Sequence, residues 1–194
     1  MPTEAAAPEE FQRAQSSIEQ LSFRKDVTVE PIPSPGGVAP FSFALSADIP
    51  HSASGTQAQH GTGRMIVLYD PAAPQSWGGN FRVVIYAQAP LEPEIGLDPF
   101  LAQVTWSWLT DALDSRGAKY FQASGTATRI LSTGFGDLAT ETDGSLIELR
   151  ASWSPTESDL SQHALAWVDV LCMQAGMPPT EDAVSINAKR RERG

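Results

Sequence analysis

The chain has one cysteine, Cys172, in 194 residues. A single thiol excludes an internal disulfide and any metal site built from several cysteines. No apolar run approaches the ~20 residues that a membrane-spanning helix needs. The opening stretch MPTEAAAPEEF has neither the basic nor the apolar region of a secretory leader, so a cytoplasmic location without membrane contact is expected. Positive charge is also scarce: 13 basic against 23 acidic residues leave a net charge of −10. Four of the basic residues (Lys189, Arg190, Arg191, Arg193) crowd the last six positions, so residues 1–188 stand at −13. Such a body repels phosphate backbones, and direct binding of nucleic acid by the folded part is excluded on that ground.

Catalytic patterns are missing as well. No nucleophile–base set stands out. Cys172 lies on an apolar helical face, where a cysteine acts as an inert small hydrophobe. The three histidines are His51, His60 and His163. Asp48, His51 and His60 share one loop, but a D-x2-H-x8-H spacing matches no zinc motif. His163 falls near the first turns of the last helix and is expected to be semi-exposed. The clusters GTGR, SGT and GFGD do not join a strand to a helix as phosphate loops do. Glu92 and Glu94 in PLEPE read as solvated on an extended segment. No catalytic residue, cofactor or metal is therefore assigned.

What remains is an ordinary globular composition, 41% hydrophobic and 19% charged, on a chain long enough to bury a core. Residues 1–7 and 178–194 read as disordered ends of one domain over 8–177. Pro8 to Leu21 carries Phe11, Ala14, Ile18 and Leu21 on one helical stripe. Strands are expected over 27–32, 41–48, 64–70 and 80–89. A helix is expected from Asp98, with Pro99 at its first turn and Gly117 at its end. A long strand over 119–133, bulged at Gly125, and another over 145–153 follow. Ser154-Pro155-Thr156-Glu157 has the form of a capping box opening a helix that Gly176 ends. The order helix, three or four strands, helix, two strands, helix favours an α+β fold. It has two layers, a mainly antiparallel sheet of five to six strands with helices packed on one face. Arg82, Glu148 and Arg150 fall on the strand face opposite the apolar sets.

The tryptophans pose the sharpest question. Trp106 and Trp108 stand two apart in QVTWSWLTDAL, so they point in nearly opposite directions. The apolar residues of 100–116 cover roughly 240° of the wheel, where a helix lying on one sheet needs little more than ~100°. Trp108 falls near the middle of that arc and Trp106 at its far edge. The helix at 157–175 is similarly broad. Either the two helices pack side by side and bury their second flanks, or the Trp106 flank is a contact surface for another protein or a second subunit. Trp77, in the turn SWGG, is the other candidate contact residue, whereas Trp153 alternates with Ile147, Leu149 and Ala151 and reads as core.

Three stretches carry a family likeness: LYDPAAPQSWGGNFRVVIYAQAPLEPEIGLDPFLAQVTWSWLTDALDSRGA, YFQASGTATRI and ELRASWSPTESDLSQHALAWVDVLCMQAGMPP. With W-S-W-L-T-D-A-L and A-S-W-S-P-T as its most specific pieces, the chain resembles an actinobacterial family catalogued as domain of unknown function 3000, over about residues 10–179. The resemblance implies an actinobacterial cytoplasmic protein, and it transfers no catalytic motif. The element order is also similar to that of type III secretion chaperones, small acidic homodimers that bind protein clients; the likeness is one of fold and charge only.

The sequence points to a non-enzymatic cytoplasmic protein-binding or chaperone-like module, with a protein partner or a second copy as a homodimer, and with Trp106 and Trp77 as contact residues. The alternative is a small-molecule binder or enzyme whose site lies where the 49–62 loop meets the sheet, near His51 or His60.

Overall fold

Strict alternation of apolar and polar residues sets the sheet. In the computed structural model, which describes residues 6–50, 61–139 and 144–177, six strands pair antiparallel: β1 (Thr28–Ile32), β2 (Phe41–Asp48), β3 (Thr62–Tyr69), β4 (Phe81–Leu91), β5 (Tyr120–Ser132) and β6 (Gly144–Pro155). Their spatial order is β1-β2-β3-β4-β6-β5. β4 shows the period of two most cleanly: Phe81, Val83, Ile85, Ala87, Ala89 and Leu91 are buried, and each residue between them is half-buried. Because β6 inserts between β4 and β5, the strand that arrives first in the chain is left at the edge.

Four helices occur among the described residues: α1 (Glu9–Glu19), the single turn α2 (Pro93–Gly96), α3 (Leu101–Ser115) and α4 (Ser161–Gln174). The three long ones cover the same sheet face. α1 buries Phe11, Ala14 and Ile18, and the Phe11 ring packs on Phe41, Phe43 and Tyr69 at centroid distances of 5.7, 5.6 and 6.0 Å. α4 touches β3, β4, α1 and α3, which is why its apolar residues run nearly all the way round: Ala164, Trp167, Val168, Val170 and Leu171 are all buried. α3 lies beside α4, fixed by a bidentate ion pair from Arg116 to Asp169 at 2.5 and 2.9 Å. Both helices end in the same backbone device. Gly117 and Gly176 take positive φ, and the residue after each donates its N–H back five positions, Ala118 to Leu113 and Met177 to Cys172.

Four local expectations are corrected. α3 begins at Leu101, not Asp98, because the Asp98 carboxylate accepts the Phe100 N–H at 2.8 Å and holds 98–100 as a turn. The segment around Glu92 and Glu94 is partly helical as α2. Ser154–Glu157 does not open a helix: β6 runs through Pro155, which pairs with Tyr120, and α4 starts at Ser161. The capping-box serine is spent elsewhere, donating to the Trp77 carbonyl at 2.7 Å, while Asp159 accepts the Ser161 N–H at 2.9 Å. Finally, the β5 bulge lies between Phe121 and Ser124, with Gln122 at φ +51, and Gly125 sits in regular register opposite Ala151.

Candidate interaction surface

The two edges of the sheet are built differently. β1 has five residues and carries Glu30 and Pro31, which are the usual means of blunting an edge, since proline offers no N–H and a carboxylate resists burial. β5 has thirteen residues with no proline and no acidic side chain. Its pairing with β6 is unbroken from Ser124 to Ser132, so the backbone groups on its outer side form a regular row. Among the described residues no strand pairs with that row.

Trp106 explains part of this edge. On α3 the buried residues are Leu101, Thr105, Leu109, Ala112 and Leu113. At ~100° per residue these span about 120°, and Trp106 and Trp108 stand about 80° to either side of the middle. The two indoles therefore bracket the buried stripe, both half-buried, and the expectation that Trp108 is central and Trp106 peripheral is corrected. Trp106 packs against the core and lies over the edge strand: a Cβ added at Gly125 would fall 2.9 Å from its Cζ3 and 2.5 Å from the Arg150 carbonyl oxygen. Only glycine admits the ring there.

Trp77 is half-buried in the β3–β4 connection. Gly78, at φ +68, lets this turn close on the β5 bulge, where a Cβ would stand 2.8 Å from Phe121 Cε2. Ser154, whose hydroxyl holds the Trp77 carbonyl, alternates with the core residue Trp153 and so belongs to the open face. Trp106 approaches from the helix face. The Trp106 ring and the Trp77 backbone thus border the first half of β5 from opposite sides of the sheet.

The second half of β5 adjoins an apolar patch that sequence reasoning missed. Among the described residues every large exposed apolar side chain except Val38 falls between Ile95 and Leu138, with Leu97 and Phe100 at 65%, Leu131 at 52% and Phe135 at 81% exposure. Arg129 ties the α2–α3 junction to the strand by donating to the Asp98 carbonyl at 2.8 Å. Gly96 packs closely on β6, where a Cβ would collide with the Ser145 side chain, and the Leu131 side chain lies in ordinary contact beside it at 3.4 Å. The available signal was bulky apolar residues in turns: Leu97 beside Asp-Pro, and Phe135 between two glycines.

Other polar groups are already engaged. On the open face Arg82 donates to Ser152 and Ser154 hydroxyls at 2.7 and 3.0 Å and to the Gln122 carbonyl at 3.1 Å. Arg150 pairs with Glu148 at 2.6 Å and lies 5.4 Å over the Tyr86 ring. Burial, then the Glu148 charge, raises the Tyr86 phenol above its ordinary range. An open groove of about 430 Å³ between α1 and the start of α4 is lined by Arg13, Gln20, Asp159 and Ser161; Arg13 is paired with Glu9 and Asp159 with the Ser161 N–H. His163 is buried rather than semi-exposed, accepting the Trp153 Nε1–H at 3.0 Å, and burial lowers its pKa to about 4. Burial pushes the Cys172 thiol up to about 11, so it is no nucleophile. Of the 49–62 loop only the ends are described, where the Ile49 N–H donates to the Gly61 carbonyl at 2.9 Å; His51 and His60 lie outside the described residues. Among the described residues no three His, Cys, Asp or Glu side chains cluster as metal ligands, and no helix is long and apolar enough to cross a membrane.

A family model described as "Protein of unknown function (DUF3000)" matches residues 7–184. No curated protein and no solved structure matches the chain.

Proposed function

The chain belongs to the DUF3000 family of proteins of unknown function, and from its own geometry we propose that it is a non-enzymatic protein-binding module whose contact surface is the β5 edge with the apolar patch beside it. One observation carries this reading: the long edge lacks every device that blunts the other one, and the exposed apolar side chains gather next to it. Exposed patches of this kind mark interaction sites more often than they persist uncovered. Backbone hydrogen bonds along an added strand supply affinity, and apolar side chains beside it supply anchoring area. Trp106 and Trp77 contribute as flanking contacts rather than as the centre of the surface. A cytoplasmic site of action fits the lone, buried, reduced thiol of Cys172, since disulfides accumulate in oxidising compartments.

Affinity capture from the native host tests the reading, with the wild-type chain, Leu97→Asp and Phe135→Asp as baits. Both side chains are exposed, so neither substitution disturbs the core. Wild-type bait is expected to retain protein that both variants lose. Identical captured sets for all three baits would remove the patch from consideration.

A further inference from the structure

We propose that the β5 edge is closed by a second copy of this chain, the two β5 strands pairing antiparallel about a two-fold axis at Thr128, so that one sheet runs through both copies. This rests on the binding-surface reading above and names its occupant. The regular part of the strand runs from Ser124 to Ser132, and Thr128 is its midpoint. The bulge before Ser124 sets the limit of pairing at one end, and the symmetry sets it at the other.

The side chains complement one another in this register. Thr128 meets its own copy, Thr126 meets Ile130 and Ser124 meets Ser132 on the open face. On the helix face Ala127 meets Arg129 and Gly125 meets Leu131. In each unlike pair a larger residue faces a smaller one, and β-branched residues pair at and beside the axis, an arrangement that favours antiparallel strands. Leu131, half exposed in the single chain, comes to lie beside Gly125 of the second copy, the residue over which the half-buried Trp106 ring lies.

The charge of the edge permits the same occupant. The edge holds no carboxylate, and its one cation, Arg129, is directed to the Asp98 carbonyl. A client strand rich in lysine or arginine finds no carboxylate on this edge, and one rich in aspartate or glutamate finds only Arg129, already bonded to the Asp98 carbonyl. A neutral strand fits, and β5 is itself such a strand. The acid-free edge is also a place where two acidic bodies can meet without opposing carboxylates. Their remaining long-range repulsion is screened by salt, so pairing strengthens as ionic strength rises.

The experiment uses the full chain in sedimentation velocity and in disulfide trapping. Across an antiparallel dyad the central Cα atoms stand about 4.5–5.5 Å apart, within the reach of a disulfide. Thr128→Cys is expected to form a cross-linked dimer under oxidised glutathione. Thr126→Cys alone does not, but a mixture of Thr126→Cys and Ile130→Cys does; buried Cys172 stays silent. Thr128→Lys faces Glu148 within its own chain, which spares the fold, and faces its like across the axis. It is expected to raise the dimer dissociation constant about tenfold or more, with an unchanged melting curve for the isolated copy. A dimer that traps at 126 and not at 128, or that ignores Thr128→Lys, overturns the proposal. So does a wild type that stays monomeric at every concentration and salt. If that monomer still captures a protein that Leu97→Asp and Phe135→Asp lose, the binding-surface reading survives while self-pairing does not.

Discussion

The Trp153 indole donates its Nε1–H to His163 Nδ1 at 3.0 Å in a site where Trp153 is fully buried and His163 only 2% exposed. The bond requires a neutral imidazole with its Nδ1 lone pair free, and burial enforces that state by lowering the pKa from 6.5 to about 4, against the opposing pull of Asp159 and Glu157. The unfolded chain takes up a proton near 6.5 that the folded one refuses until about 4. Unfolding is therefore favoured as pH falls through this window, by up to about 3 kcal/mol from this one group. Asp159, held below its ordinary range by its hydrogen bonds to Ser161, removes further stability at still lower pH. Denaturant titrations from pH 7 to 4 should show the loss, and His163→Asn, which keeps an acceptor for Trp153, should flatten it. An unaltered slope in His163→Asn would assign the acid sensitivity elsewhere.

Gly125→Ala tests the approach of Trp106 to the edge strand. The new methyl meets the Arg150 carbonyl oxygen and the indole together, and overpacking of this kind costs about 1–3 kcal/mol. Adding Trp106→Ala relieves the ring contact and leaves the backbone one. The double variant is therefore expected to unfold at a lower denaturant concentration than either single variant. Recovery towards wild-type stability would mean that the ring alone excludes a side chain at 125.

How much of this was legible in the sequence depended on the range of the interactions. Periods of two and of three to four residues are local, so the α+β class and the approximate strands follow from alternations such as Phe41, Phe43, Leu45. Glycine exits are local too, and Gly117 and Gly176 end their helices as read. The helix starts were misplaced because side chains at 98 and 154 had several partners within reach; Ser154 went to Trp77, 77 residues away. Strand order is the longest-range feature, since nothing within YFQASGTATRILS says that β6 will insert on its inner side. The exposed edge, and with it most of the candidate surface, was invisible for that reason. The broad apolar arc of α4 was visible, and its cause is placement between α1 and α3.

The start of α4 offers a direct comparison of two carboxylates. Asp159 accepts the Ser161 N–H in the turn that opens the helix, whereas Glu157 makes only an exposed ion pair with Lys119. Asp159→Ala is expected to cost about 1 kcal/mol, the usual net worth of one such hydrogen bond, and Glu157→Ala less than about 0.5 kcal/mol. Chemical denaturation of the two variants decides between the observed start and one at Ser154, which would reverse the ranking.

Gln174 is the clearest opportunity to stabilise the fold. It is 1% exposed, and among the described residues neither its Oε1 nor its Nε2 has a hydrogen-bond partner. A buried amide without partners carries a desolvation penalty of about 1–3 kcal/mol that folding does not return. Methionine has nearly the same length and shape without the polar atoms, and it adapts to irregular space in a core. Gln174→Met is thus expected to raise stability by about that amount, which for a domain of this size is an upward shift of roughly 2–12 °C in Tm. The comparison with Gln174→Ala separates polarity from packing, because alanine removes the same amide yet leaves a cavity that costs stability again. Loss of stability in Gln174→Met as well as in Gln174→Ala would mean that the amide is satisfied in the native protein.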